Sequence, residues 1–233
     1  MSIQHAMLLA AGRGSRMRPL TDHTPKPLLK VLGKPLIQWH LERLATAGIQ
    51  QVVINHAWLG QQIVDFVGNG QQFGLQVQYS AEEQPLETAT GIKRALPLLG
   101  SSPFLVISTD IWTTWDAQSA HAIASQLAQS EHLAHLWVVN NPAHNTAGDF
   151  ALKNGLLQLK NPHDSTYTYS GIGLFKAEFF NELSSHTPTP LLQPLVKAIQ
   201  QQRVVGSYYA GSWSDIGTPQ RLQQIEQNLA SKA

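Results

Sequence analysis

Residues 8–27, LLAAGRGSRMRPLTDHTPKP, constrain this chain more than any other stretch. The apolar run over 6–11 reads as a buried strand. It breaks at Gly12 and Gly14, where a backbone without Cβ can turn sharply and lie close to a ligand. Arg13, Arg16 and Arg18 follow within six residues, and Lys26 stands between Pro25 and Pro27. Prolines on both sides restrict the backbone that carries this lysine. An apolar strand, a glycine loop and then cations make a cradle for a polyphosphate. Backbone N–H groups meet the oxygens, and the cations neutralise them. A Gly-Lys-Ser/Thr phosphate loop is absent. A dinucleotide fingerprint is excluded too, because Met17 stands where its third glycine belongs.

Strand and helix patterns alternate through the first 140 residues. Strands are expected over 51–55, 75–79, 104–108 and 133–139, from β-branched runs or alternation. Helices are expected over 35–47, 58–67, 88–99 and 119–129, the first opened by Pro35 and closed by Gly48. Such alternation predicts an α/β fold: a Rossmann-like, mostly parallel mixed sheet with helices on both faces. Ligands then bind beyond the carboxyl ends of the strands. The Gly12 loop and Asp110 both fall there. The second part is richer in strands. It has a hairpin over 150–159 turning at Asn154-Gly155, a strand over 168–175, a helix over 190–201, a strand over 204–209 and a last helix over 218–230 capped by Thr218 before Pro219.

Composition narrows the function. Sixteen basic and 15 acidic residues give a net charge of +1, so no broad field would attract nucleic acid, and the arginine cluster is local. The chain has no cysteine, which removes disulfides and thiolate metal sites. No apolar run approaches membrane-spanning length, and the apolar start is too short for a secretory signal. The expectation is a cytoplasmic protein that binds neither membrane nor nucleic acid.

The string Ala10-Ala11-Gly12-x-Gly14-x-Arg16-Met17-x-Pro19-Leu20-Thr21, followed by Pro25-Lys26-Pro27-Leu28, resembles the signature of the sugar-phosphate nucleotidylyltransferases. The resemblance implies transfer of a nucleotidyl group from a nucleoside triphosphate to a sugar 1-phosphate. Ala11, Gly12, Gly14, Ser15 and Arg16 would cradle the triphosphate. Lys26 and Arg16 would be the catalytic cations, with Lys26 bridging the α-phosphate and the incoming phosphate. Asp110, after the strand FLVIS, and Asp215, in Trp213-Ser214-Asp215-Ile216-Gly217, would hold Mg²⁺. Thr109 stands where the family commonly has glycine. By itself, an aspartate after a strand is as readily a turn or cap residue.

The block Glu82-Glu83-Gln84-Pro85-Leu86-Glu87-Thr88 resembles the family's nucleobase loop, with Glu87 in place of a usual glycine. Gln84, or backbone groups, would meet the edge of the base, and Glu87 and Thr88 would complete the loop. Glu87 equally suits the first turn of a helix. Ser108, Asp149 and Gly171 are the expected sugar contacts, although Asp149 could simply edge a hairpin. Lys160-Asn161-Pro162 lies where the family often carries a second, phosphate-binding lysine in Glu-Lys-Pro.

Pro-Leu-Glu-Thr, Gly-Asp-Phe, Tyr169-Ser170-Gly171 and the run over 54–60 resemble a subgroup that uses UTP and N-acetylmuramate 1-phosphate in cell-wall sugar recycling. Mannose, glucose or phosphocholine acceptors with other nucleotides remain open, as does a non-catalytic nucleotide-sugar sensor on the same fold. The expected organisation is one domain over 1–233. A nucleotide-binding part covers about 1–140, a small β-rich sugar-binding insert about 141–212, and the last helix 218–230. A monomer or weak homodimer is expected.

Overall fold

The computed structural model describes residues 3–84 and 86–231. In chain order the elements are β1 (His5–Ala10), β2 (Lys30–Val31), β3 (Lys34–Pro35), α1 (Leu36–Thr46), β4 (Gln51–His56), α2 (Gly60–Val67), β5 (Gln76–Ala81), α3 (Glu87–Leu99), β6 (Phe104–Ser108) and β7 (Ile111–Thr113). They continue with α4 (Ala120–Gln129), β8 (Ala134–Val139), β9 (Phe150–Lys153), β10 (Leu156–Leu159), β11 (Thr166–Phe175), α5 (Leu192–Gln200), β12 (Val204–Tyr208), β13 (Trp213–Asp215) and α6 (Pro219–Ala230). Nine strands make one sheet in the order β5-β4-β1-β6-β11-β8-β12-β10-β9. The pairs β5–β4, β4–β1, β1–β6 and β8–β12 are parallel, and β11 runs antiparallel to both its neighbours.

Alternation along the strands splits the core between the two faces. Ala6, Leu8 and Ala10 of β1 join Ile37, Leu41, Ile63 and Ala124, so α1, α2 and α4 cover one side. Met7 joins Ala89, Ile92, Leu195 and Ile199, so α3 and α5 cover the other. β6 is apolar on both faces, and Phe104, Leu105, Val106 and Ile107 are fully buried, each contributing about 1.5–3 kcal/mol of burial. A third, smaller cluster joins Met17, Leu36, Trp112 and Ile216 to Ile225 of α6. Thr218 caps α6, its hydroxyl accepting from Arg221 N at 3.3 Å, and Pro219 takes the first turn. Among the described residues, no helix is long and apolar enough to cross a membrane.

One expected helix is placed differently, and the sheet order holds a feature that local patterns do not show. The helix expected over 58–67 begins only at Gly60, because Leu59 adopts φ +52 and breaks the helical path. The strands of the β-rich second part, β9 to β12, join the main sheet. β11 lies between β6 and β8, separating two strands that would otherwise neighbour each other. It fits there because Ile172 and Leu174 enter one core and Phe175 the other. Its register shifts between Tyr169 and Gly173, around Ser170-Gly171. Trp112 and Trp115 are buried and pack, Trp115 with its ring centre 4.9 Å from that of Trp137.

Of the described histidines, His40 and His135 are buried and the others are half-buried or exposed. His135 of β8 packs against Trp137 at 4.8 Å, and burial lowers its pKa from 6.5 to about 4. The unfolded chain therefore takes up this proton first. The stabilisation is intact above about pH 6.5 and is lost as pH falls toward about 4. The urea midpoint is expected to fall between about pH 7.5 and about pH 5, and His135→Leu should narrow that gap. An equal gap in the variant would show that His135 is not a source of the acid sensitivity.

Candidate active site

The register pairs Leu9 of β1 with Asn55 of β4 on one side and Ser108 of β6 on the other. Three strands thus end at one level, and the glycine loop opens above them. Gly14 adopts φ +65, a conformation that favours glycine. A Cβ there would lie 3.0 Å from Thr21 Cγ2 and 3.2 Å from Lys26 Cβ. The loop is closed by Met17 N donating to Gly14 O at 2.8 Å and by the buried Thr21 hydroxyl donating to the same oxygen at 2.8 Å. Met17 is the loop's anchor in the third cluster. Arg13 and Arg16 line a cavity of about 450 Å³, whereas Arg18 pairs with Asp22 at 3.1 Å.

Lys26 is only 9% exposed, and its Nζ donates to Asp110 Oδ2 at 2.7 Å. Asp110 is held by its neighbours in sequence. Thr109 bonds Leu9 O through both its N–H (3.2 Å) and its hydroxyl (2.6 Å), and Ile216 N donates to Asp110 O at 2.7 Å. The β7–β13 pair sets Asp215 opposite Ile111, the residue after Asp110, which itself lies in the turn between β6 and β7. The carboxylate of Asp215 meets His144 Nε2 at 2.9 Å and also Arg221 Nη1. Beneath β7, His40 is fully buried, and burial, aided by the Arg43 charge, lowers its pKa to about 3. The ring is therefore neutral. Nε2 donates to Ile111 O at 2.9 Å, and Nδ1 accepts from Arg43 at 3.3 Å.

The opposite wall is a buried polar chain. Asn55 Oδ1 accepts from Ala10 N at 2.9 Å, and Asn55 Nδ2 donates to Glu82 Oε1 at 2.7 Å. Glu82 Oε2 accepts from Leu86 N at 3.3 Å. Burial raises the pKa of Glu82, opposed by those two hydrogen bonds and by the Arg94 charge. Gly91 of α3 makes room for the chain, since a Cβ there would lie 2.7 Å from Glu82 Oε1.

Of the residues expected at the site, Ala11, Gly12, Gly14, Ser15, Arg16, Lys26, Glu87, Thr88, Ser108 and Asp110 line the cavity. Gln84 does not; it is exposed, and Glu82 occupies the wall instead. Pro85 of the same loop lies outside the described residues. Asp149 is also away from the lining, its carboxylate accepting from Tyr169 N at 2.8 Å and Asn145 Nδ2 at 3.0 Å, which staples its loop. Gly171 lies one layer back, 3.0 Å from Ser108 Cβ at its Cβ position. Asp215 is at the edge, two residues before the lining residue Gly217. Lys160 is exposed and donates to Gly148 O at 2.7 Å. Asn55 and Glu82 escaped the sequence reading. The available signal for Asn55 was an amide ending the apolar run Val52-Val53-Ile54.

A loop of phosphate-binding geometry, a buried lysine and two aspartates, one in the turn after β6 and one at the end of β13, define a class. The chain belongs to the nucleotidyl transferase family, whose model matches residues 5–232. It is 48% identical over 224 residues to the N-acetylmuramate alpha-1-phosphate uridylyltransferase of Neisseria meningitidis serogroup B, spanning 95% of this chain and 96% of that one. The enzyme of the same name from Caulobacter vibrioides is 32% identical over 234 residues, spanning 97% and 96%. A UDP-glucose pyrophosphorylase solved with UDP-glucose shares the fold, with a TM-score of 0.79 at 17% identity, covering 99% of this chain and all of that one. The family and fold expected from the glycine-loop signature are the ones found.

Replacing Asn55 with leucine would orphan the buried Ala10 N–H and remove a donor from Glu82. A loss of about 1–3 kcal/mol for each group left unsatisfied is expected in urea unfolding. An unchanged midpoint would mean that the wall does not depend on this chain of bonds.

Proposed function

We propose that this chain transfers a uridylyl group from UTP to N-acetylmuramate α-1-phosphate, giving UDP-N-acetylmuramate and pyrophosphate in the recycling of a cell-wall sugar. The observation that carries the chemistry is the Lys26–Asp110 pair set into the cavity beneath the glycine loop. The choice of both substrates rests on the full-length likeness to the two bacterial relatives.

A phosphate oxygen of the sugar phosphate attacks the α-phosphorus in line. The bond from that phosphorus to the bridging oxygen breaks, and its electrons leave with pyrophosphate. The nucleophile is already anionic, so no general base is required. Rate must come from positioning and from charge neutralisation. Gly12, Gly14, Ser15 and Arg16 cradle the triphosphate, and Lys26 meets the charge that grows at the α-phosphate. Glu82 and the segment from Leu86 to Thr88 face the base, and Ser108 faces the sugar phosphate. Asp149 and Gly171 act from behind by shaping that side.

Asp110 and Asp215 would hold Mg²⁺. The donor set fits a hard cation that keeps waters and shares phosphate oxygens. Asp110 immediately precedes β7 and Asp215 ends its partner β13, and Lys26 engages only Oδ2 of Asp110. When bound, the ion supplies charge neutralisation to the phosphate oxygens. The reaction is assigned to the cytoplasm and to a monomer or weak homodimer.

Pyrophosphate release should be measured with Mg²⁺, crossing the four common nucleoside triphosphates with N-acetylmuramate, N-acetylglucosamine, glucose and mannose 1-phosphates and phosphocholine. Turnover concentrated on UTP and the muramate is expected. Another preferred pair would move the substrate and keep the mechanism, whereas no turnover with any pair would favour a sensor. Lys26→Ala should lower kcat by about 10²–10³-fold. Near-normal turnover in a folded variant would remove Lys26 from the mechanism.

A further inference from the structure

Arg13 stands on the exposed crest of the loop between Gly12 and Gly14 and lines the cavity beside Arg16. Arg18 and Lys26 each have a carboxylate partner. Among the described residues Arg13 has none. Its guanidinium carbon lies instead 4.8 Å from the centre of the Trp58 ring, where the negative face of the indole attracts it.

Trp58 is 37% exposed, far more than a core tryptophan. It is nonetheless fixed. Its Nε1 donates to Thr21 O at 3.1 Å, and the hydroxyl of the same threonine holds Gly14 O. The neighbouring Leu59, at φ +52, bends the chain as it passes from β4 to α2. Trp58 therefore braces the glycine loop through Thr21 and supports its outermost arginine. This gives the run over 54–60 a role at both walls of the cleft, since Asn55 holds Ala10 and Glu82.

We propose that Arg13, supported on Trp58, binds the β- and γ-phosphates of the nucleotide, the part that departs as pyrophosphate, with Trp58 as its positioning residue. Lys26 is nearly buried and belongs to the reacting end of the phosphate chain, whereas Arg13 lies at the outer rim where the tail emerges. A planar guanidinium with several donors matches a diphosphate better than a point charge does. Holding it over the ring in advance reduces the side-chain freedom lost on binding. The inference rests on the nucleotidyl-transfer reading, yet the two fail differently. Absence of turnover in the wild-type enzyme defeats that reading, while binding of pyrophosphate tests Arg13 whether or not the enzyme turns over.

The test is calorimetric titration of the full chain with inorganic pyrophosphate and Mg²⁺, alongside steady-state kinetics. Arg13→Gln should weaken pyrophosphate about tenfold and raise KM for UTP comparably, the loss expected for a charge-assisted hydrogen bond. The KM for the sugar phosphate and the urea midpoint should stay unchanged, and Arg13→Lys should restore part of the affinity. Trp58→Leu should weaken pyrophosphate about threefold, Trp58→Phe less, and the double variant Arg13→Gln/Trp58→Leu no more than Arg13→Gln alone. Wild-type pyrophosphate affinity in Arg13→Gln would overturn the proposal. So would fully additive losses in the double variant, or a Trp58→Phe variant as impaired as Trp58→Leu. Because Arg13 is exposed, its variants keep the test decisive even if a Trp58 variant fails to fold.

Discussion

The site depends on one ion pair, between Lys26 and Asp110, 84 residues apart in the chain. Taking an ammonium out of water costs several kcal/mol unless a partner replaces the lost hydration. Lys26 is nearly buried, so its position is tolerable only with Asp110 beside it. The pair therefore fixes where the phosphate loop sits relative to the end of β6. It also explains the flanking prolines: Pro25 stands at the entrance of the short turn that delivers the lysine, and Pro27 lies inside it.

Rigidity is supplied from both sides, largely by groups outside the cavity lining. Neutral His40 and Arg43 of α1 hold the backbone of β7, His40 at Ile111 and Arg43 at Thr113. β7, which directly follows Asp110, in turn pairs with β13, which ends at Asp215. Met17, Trp112 and Ile216 share a cluster with α6, which ties the glycine loop to that same strand pair. The last helix thus serves the site through packing. A change in its apolar stripe would reach the loop through Met17.

Much of the fold was legible because its signals are local. Apolar runs, caps and glycine stops located most elements to within one or two residues, and Asn154-Gly155 marked its hairpin with both residues at positive φ. The place of β11 was not legible, because insertion between two strands is decided by pairing partners far away in sequence. The base loop shows the same limit at the scale of one side chain. Glu82 N donates to His56 O at 2.8 Å, so strand register continues one residue past β5. Ser80 and Glu82 are buried and Ala81 is exposed. Gln84 comes after the pairing ends and is exposed. A reading that weighs residue type without knowing where the register stops chooses Gln84 over Glu82.

Charge balance within the cavity bears on how such a site can accept its substrate. Among the described lining residues, Arg13, Arg16 and Lys26 face Glu82, Glu87 and Asp110. Three cations against three carboxylates leave little net field, even with Glu82 shifted toward its neutral form by burial. A nucleoside triphosphate and a sugar phosphate together bring several negative charges, and Coulomb repulsion between them grows as the phosphates approach. The lining side chains can orient those phosphates, but with three carboxylates among them they bring no net positive charge. Additional positive charge must enter with the substrates. Asp110, just before β7, and Asp215, at the end of β13, are the carboxylates proposed above to receive a divalent cation. The near-neutral lining is a physical argument, independent of family membership, for the Mg²⁺ proposed above. It also explains why a cation outside any carboxylate pair, such as Arg13, counts for more here than its exposed position suggests.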